Sequence, residues 1–582
     1  MHPVDKNAHV NATSIDQTRH SGSGLVLFTL ASAQFLMTLD TSVMNVSIAT
    51  VAKDVGTTVT GIQLAITMYT LVMAAFMITG GKIGQILGRK RAFMIGCVIY
   101  GCGSFTTAIS GSLGVLLFGW SLLEGLGAVL IMPAVVALVA TNFGTRERPR
   151  AYGLVASAGA IAVAVGPLVG GLFTTYASWR WVFAGEVVIV IGILALSLRM
   201  ADSPPERGVR LDLIGTFLSA LGLGSIVYGI IRSGTWGVVQ PKEGAPQWLG
   251  ASPVLWLLLG GAAVLGLFVL WENRQLRRGG PVLVDPGMLR NATLQSGLTS
   301  FFFQFLLQAG LFFVVPLFLS VSLGLSAVAT GVRLLPLSVT LLLAAVGIPR
   351  LRPNASPRRV VRVGFSSLFI GIVVMILALD QGAGPEIVTW PLLLAGFGVG
   401  CLASQLGAVT VSSVPDTQTG DVGGVQNTVT NLGASIGTAL SGAVLIAVLT
   451  TTFLGSVAND PAVSKTLSSQ AQVQLSSGVP FVSDADLNAA LDKAGVPPDT
   501  AAVIVDHNAK SRINGLRASL GVLALIALAA VIFTRRLPVR QSGSRPDGGE
   551  GDEPDEAETP EAPEREPTGA DDAAASFRSA GG

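Results

Sequence analysis

Cysteine and histidine are nearly absent from this chain, with three and four residues among 582. Cys97, Cys102 and Cys401 all lie in apolar segments, which excludes a disulfide framework and offers no metal-ligand spacing. His2, His9, His20 and His507 fall outside every apolar run. No Ser/His/Asp arrangement, phosphate-cradling glycine loop or metal cluster occupies a polar region. The chain is therefore not expected to be an enzyme, to carry a cofactor or to bind nucleic acid. Charge is scarce too. Only 12% of residues are charged, about half the share usual in a soluble domain. With 50% hydrophobic residues, 70 glycines and a mean hydropathy of +0.63, the expected fold class is an all-α polytopic membrane protein.

The charge that is present sorts by position. Residues 541–582 hold 12 acids and 3 arginines, so the net charge of +2 conceals +11 over the rest. Apolar runs stand at roughly 25–48, 62–80, 92–110, 113–140, 151–173, 181–199, 212–232, 252–272, 292–321, 327–348, 360–379, 389–414, 422–450 and 514–533. Fourteen spans place both termini on one side. Loops 81–91, 143–150, 200–211, 273–291 and 350–359 are rich in Lys and Arg, while the alternate short loops offer Lys53, Arg180 and Lys242. By the positive-inside rule both termini are expected in the cytoplasm. Residues 1–23 are polar and the first run is span-length, so a cytoplasmic tail is expected there and a cleavable signal is not. Residues 536–582 read as a disordered acidic tail. Residues 451–513 read as a polar external loop with short helices at 484–494 and 499–509.

A repeat organises the spans. Gly159 through Gly166-Pro167-Leu168-Val169-Gly170-Gly171 in the fifth matches Asn431-Leu432-Gly433-Ala434-Ser435-Ile436-Gly437 in the thirteenth. Both are small-residue faces that allow close helix packing. If the thirteenth is the fifth of a second set, basic loops 81–91 and 350–359 also correspond. The chain divides into a six-helix bundle over 24–200, two inserted helices over 201–291 and a second six-helix bundle over 292–535. Two like halves around a central site are a transporter plan.

Asp40 interrupts the first apolar run. A carboxylate there costs on the order of 2.5–3.5 kcal/mol on insertion scales, so it is buried in protein and a functional candidate. The plainer alternative is a structural carboxyl bonded to a neighbouring helix.

Four motifs resemble the major facilitator superfamily, and specifically its fourteen-span drug:proton antiporter family, across about residues 20–535. They are Leu39-Asp40-Thr41 with Asn45-Val46, and the cytoplasmic loop from Gly81-Lys82 to Gly88-Arg89-Lys90-Arg91. Gly166-Pro167 with Gly170-Gly171 and Ser178-Trp179-Arg180-Trp181-Val182-Phe183 complete the set. The resemblance implies a major facilitator fold of 6 + 2 + 6 helices in a bacterial inner membrane. It also implies export of small amphiphilic or hydrophobic compounds, coupled to protons through Asp40 and driven by the proton gradient without a cofactor. A dedicated exporter of one endogenous lipid or secondary metabolite is the alternative, and a non-transporting receptor or scaffold a second one. Departures are informative. Gln85 replaces the loop's usual Asp, Ser121 and Glu124 replace the fourth span's usual Arg and Gln, and Glu186 begins a Glu-Val-Val where the sixth span usually has Asn-x-Pro. The membrane interior then holds three acids, Asp40, Glu124 and Glu186, all in the first half. At 1.5 Å per residue Asp40 and Glu124 lie about 12 and 17 Å below the outer surface, so a coupled pair is expected. Desolvation and a second acid both favour the protonated form. Glu186 is expected to be structural, beside Arg180, because sixth spans are peripheral in this fold. The cavity-lining spans nominate Asn45, Gln63, Tyr69, Gln304, Gln308, Gln405, Asn427 and Asn431 as substrate contacts.

Overall fold

A computed structural model describes residues 7–143, 148–202, 205, 209–242, 244–352, 355–411, 413–414, 419–460, 463 and 481–537. Each of the fourteen apolar runs coincides with a helix. These are α1 (Asn7–Asp54), α2 (Val59–Leu87), α3 (Arg89–Ala108) and α4, which runs from Leu113 through a π-helical stretch Leu117–Glu124 into Gly125–Asn142. Then come α5 (Arg148–Tyr176), α6 (Arg180–Ser197), α7 (Leu213–Trp236), α8 (Pro253–Arg277) and α9 (Ala292–Leu317). The second half continues with α10 (Ala327–Leu351), α11 (Pro357–Ala378), α12 (Thr389–Val411) and α13 (Thr419–Asn459). The short α14 (Asp484–Lys493) and long α15 (Pro498–Phe533) close the series. Among the described residues twelve helices are long and apolar enough to cross a membrane, or thirteen if the bent pair in α5 counts as one span. The fold is all-helical among the described residues.

Local chemistry sets the boundaries. Thr58 caps α2, Ser326 caps α10 and Ser252 precedes the Pro253 that opens α8, each hydroxyl accepting a free amide of the first turn. Gly88, at φ +97°, separates α2 from α3 with a backbone that a side chain would strain. One expectation needs correction. The polar stretch 451–513 is not a loop throughout, since α13 continues to Asn459 and residues 499–509 belong to the last spanning helix. Buried Arg512 explains the continuity, because it pairs with Asp484 and Val482 and fastens α14 to the side of α15. Within this stretch 461–462 and 464–480, and in the tail 538–582, lie outside the described residues.

The halves meet along two seams. At one, α2 lies on α13, and Gln63 Nε2 donates to the carbonyls of Thr438 and Ala439 at 3.1 Å while Ser435 Oγ donates to Thr67 O. At the other, α5 lies on α10. Bare glycines allow that approach: a Cβ on Gly171 would stand 2.6 Å from Ala327 O, and one on Gly331 would collide with Pro167 O. Inserted helix α7 covers the first seam, with Thr216 against Thr79 of α2 and Gly234 against Ala443 of α13.

Candidate functional site

The three intramembrane acids come together. One carboxylate oxygen each from Asp40, Glu124 and Glu186 lies within 4.8 Å of the others, and all three side chains are buried. Glu186 is thus not beside Arg180. Arg180 opens α6, about 9 Å along the axis from Glu186, and pairs with Asp54 at 3.3 Å while donating to Ser110 O.

Each acid is held differently. Trp120 Nε1 donates to both oxygens of Asp40, at 2.8 and 3.0 Å. Glu124 accepts from Thr107 Oγ1 at 3.0 Å and Glu186 from Ser104 Oγ at 3.1 Å. The second oxygens, Glu124 Oε2 and Glu186 Oε1, have no hydrogen-bond partner, nor does the buried hydroxyl of Tyr100. The elements converge because α3 and α4 are bare where they cross. A Cβ at Gly103 would meet Glu124 Cγ, and one at Gly127 would stand 2.7 Å from Tyr100 Cβ. The π-helical stretch carries both Trp120 and Glu124, as such irregular turns often do at functional sites.

Trp120 escaped the sequence reading, since an indole inside an apolar run looks like core. So did Ser104, Thr107 and Tyr100. Tyr69, nominated as a substrate contact, instead stacks on Trp120 with ring centroids 5.0 Å apart. Ser121, at the position of the usual Arg, donates to Ala65 O and leaves the cluster without a cation from that residue.

The other candidates disperse. Gln63 is committed to the α13 backbone, and Asn45 Nδ2 donates to Thr41 O one turn back. Gln304 is buried on α9 with its carbonyl oxygen unpartnered, Gln308 is half-buried one turn on, and Gln405 on α12 touches Ser404. Asn431 Nδ2 donates to Asn427 O on α13. In α5, a Cβ on Gly166 would collide with Ser42, one on Gly170 would sit 2.9 Å from Val43 Cα, and Gly171 with Pro167 faces α10. The 81–91 motif is not a loop, since 81–87 end α2, Gly88 turns the chain and 89–91 open α3; there Arg89 donates to Gly81 O, and Lys90 Nζ to the carbonyls of Leu198 and Met200.

Known proteins resemble this chain over most of its length. The Major Facilitator Superfamily model matches residues 30–438. A puromycin resistance protein of Streptomyces alboniger is 30% identical over 72% of this chain and 80% of its own. A multidrug resistance protein of Mycobacterium tuberculosis is 26% identical over 74% of this chain and 77% of its own. Among solved structures, an inward-facing, unoccupied bacterial homolog of the human lysosomal transporter Spinster superposes with a TM-score of 0.57. It shares 14% identity and covers 90% of this chain and 99% of that one, a likeness of fold alone.

Proposed function

The chain belongs to the Major Facilitator Superfamily, and from that premise we propose a proton-coupled exporter of amphiphilic or hydrophobic compounds, of the fourteen-span drug:proton antiporter type. The observation that carries proton coupling is the Asp40–Glu124–Glu186 cluster. Two full negative charges 4.8 Å apart repel by about 3–4 kcal/mol even at an effective dielectric constant of 20. Three buried carboxylates at that spacing do not all stay ionised, so the cluster holds protons. Glu124 Oε2 and Glu186 Oε1, which have no hydrogen-bond partner, are the proposed proton positions. Asp40, which accepts the Trp120 N–H on both oxygens, is the proposed coupling group, alternating between proton loss and gain during the cycle.

A packed route leads from the acids to the seam. Protonating Asp40 weakens its bond to Trp120, Trp120 stacks on Tyr69 of α2, and α2 holds α13 through Gln63. Proton loading therefore bears on the contact that must change when the halves rock. Trp120→Phe keeps the stack and deletes the N–H. Losing a hydrogen bond to a charged group, about 1.5–3 kcal/mol, should slow proton-driven efflux roughly ten- to a hundredfold. Efflux from energised vesicles checks this.

Export is supported by the relatives, one named for puromycin resistance and one for multidrug resistance. The first, named for a single compound, favours the second reading of a dedicated exporter. The basic loops support a bacterial inner-membrane protein with both termini in the cytoplasm. The test is proton release, followed with a pH dye, when substrate is added to the purified protein. Release that shrinks in Glu124→Gln is the expected result. No release by any compound that the protein demonstrably exports would overturn proton coupling. Growth protection against unrelated toxicants separates broad from dedicated export, and absence of any transport would favour the receptor reading.

A further inference from the structure

The turn between the two inserted helices carries a backbone that no other described residue shares. Leu249 is the single non-glycine among them with a positive φ, +52°, and it is 89% exposed. Trp248 N donates to Ala251 O at 2.9 Å and Ala251 N to Trp248 O at 3.1 Å, which closes a two-residue turn over Leu249 and Gly250. Gly250, at φ +78°, suits such a turn. The first position of the turn normally goes to Asn, Asp or Gly, because a bulky side chain is strained in that conformation. The surroundings enforce it. Trp256 Nε1, on the first turn of α8, donates to Trp248 O at 2.8 Å, Ser252 N to Val239 O at 2.9 Å and Ser252 Oγ to Gly237 O at 2.6 Å. A leucine is thus held outward at the tip of a braced turn, with no described residue covering it.

Its position identifies what does cover it. α7 has 24 residues and α8 has 25, about 36 and 38 Å of helix. That exceeds the roughly 30 Å hydrocarbon core and falls short of the about 40–45 Å that includes headgroups, so both helices end in the headgroup layer. The side chains there agree. Arg232, one turn before the end of α7, lies over the Tyr228 and Trp236 rings at 5.4 and 5.1 Å, a cation stacked among aromatic rings near headgroup depth. Trp248 and Trp256 are exposed, and tryptophan collects at this level because its ring is apolar and its N–H polar. Exposed Leu259 continues the apolar face down α8. Residues 237–252 hold one lysine and one glutamate, and Lys242 Nζ is turned back to Gly234 O.

We propose that the α7–α8 turn is a membrane anchor, and that Leu249 with Trp248 enters the boundary between headgroups and acyl chains of the lipid bilayer. The partner is the lipid surface itself, and the role depends on neither proton coupling nor substrate. The inserted pair is thereby fastened to one face of the bilayer, at the end where Gly234 of α7 reaches Ala443 of α13.

The test places an environment-sensitive fluorophore at Leu249→Cys in the full chain, its three native cysteines replaced by alanine, in phosphatidylcholine nanodiscs. Asp492→Cys, exposed on polar α14, is the aqueous control. Nitroxides on the fifth or twelfth acyl carbon quench from the lipid, and iodide quenches from water. At Leu249 the shallow nitroxide should quench more than the deep one, as for a group about 5–10 Å into the boundary. Iodide should quench about tenfold less than at Asp492, the partition expected when a leucine-sized group leaves water. Iodide quenching equal to the control would overturn the proposal, and so would stronger quenching by the deep nitroxide. Protection from both quenchers would overturn it too, by placing the turn against protein such as a second copy. If Leu249→Cys fails to accumulate, the same label at exposed Val239→Cys decides, and an aqueous pattern there overturns the proposal equally.

Discussion

Asp40→Asn should lower proton-driven efflux by on the order of 10²–10⁴-fold, the scale of losing a positioned proton-transfer group. Folding should survive. Asparagine has the same shape, and its side-chain oxygen still accepts the Trp120 N–H that now reaches both carboxylate oxygens. What disappears is the ability to release a proton. Exchange of labelled for unlabelled substrate across the membrane, which needs no net proton movement, should persist while uphill efflux stops. Measuring both in proteoliposomes separates a coupling defect from a broken protein. Full uphill efflux by a well-expressed Asp40→Asn variant would remove Asp40 from the mechanism.

Gly331→Val should arrest the cycle from the other seam. A side chain there collides with the carbonyl of Pro167, and the neighbouring contact of Gly171 with Ala327 leaves no slack. Overpacking of this kind costs about 1–3 kcal/mol, and here the cost falls on the one arrangement in which α5 and α10 touch. The balance of states should therefore move roughly five- to a hundredfold away from it. Turnover should fall while affinity for substrate at equilibrium changes little. Parental turnover in this variant would show that the α5–α10 contact loosens without consequence.

The helices were legible in the sequence because apolar length is a one-dimensional property. Every run found its helix, and errors gathered where polarity and helicity part company, as in α15, whose polar first turns pair with Asp460 and Gln381. The site was legible only in part. Hydropathy marks a carboxylate in a span and its depth, which brought Asp40 and Glu124 to one level. It does not give the angle at which a side chain leaves its helix. Sequence proximity therefore sets Glu186 beside Arg180, while the fold turns it toward Ser104 and the other two acids. Trp120, Ser104 and Thr107 carry no signal of their own inside apolar runs. Their bonds to the acids become visible only once α1, α3, α4 and α6 are assembled.

The cluster is lodged entirely within the first six helices, and among the described residues the second six bury no carboxylate. This has an electrical consequence. A membrane voltage does work only on charge, about 2.3 kcal/mol for each elementary charge moved through 100 mV. Voltage therefore acts on the first bundle through these acids, while in the second it meets cations such as Arg333 of α10 and Arg512 of α15. Charge-movement currents recorded from oriented membranes should therefore shrink in Asp40→Asn, the part lost being the charge carried by the first bundle.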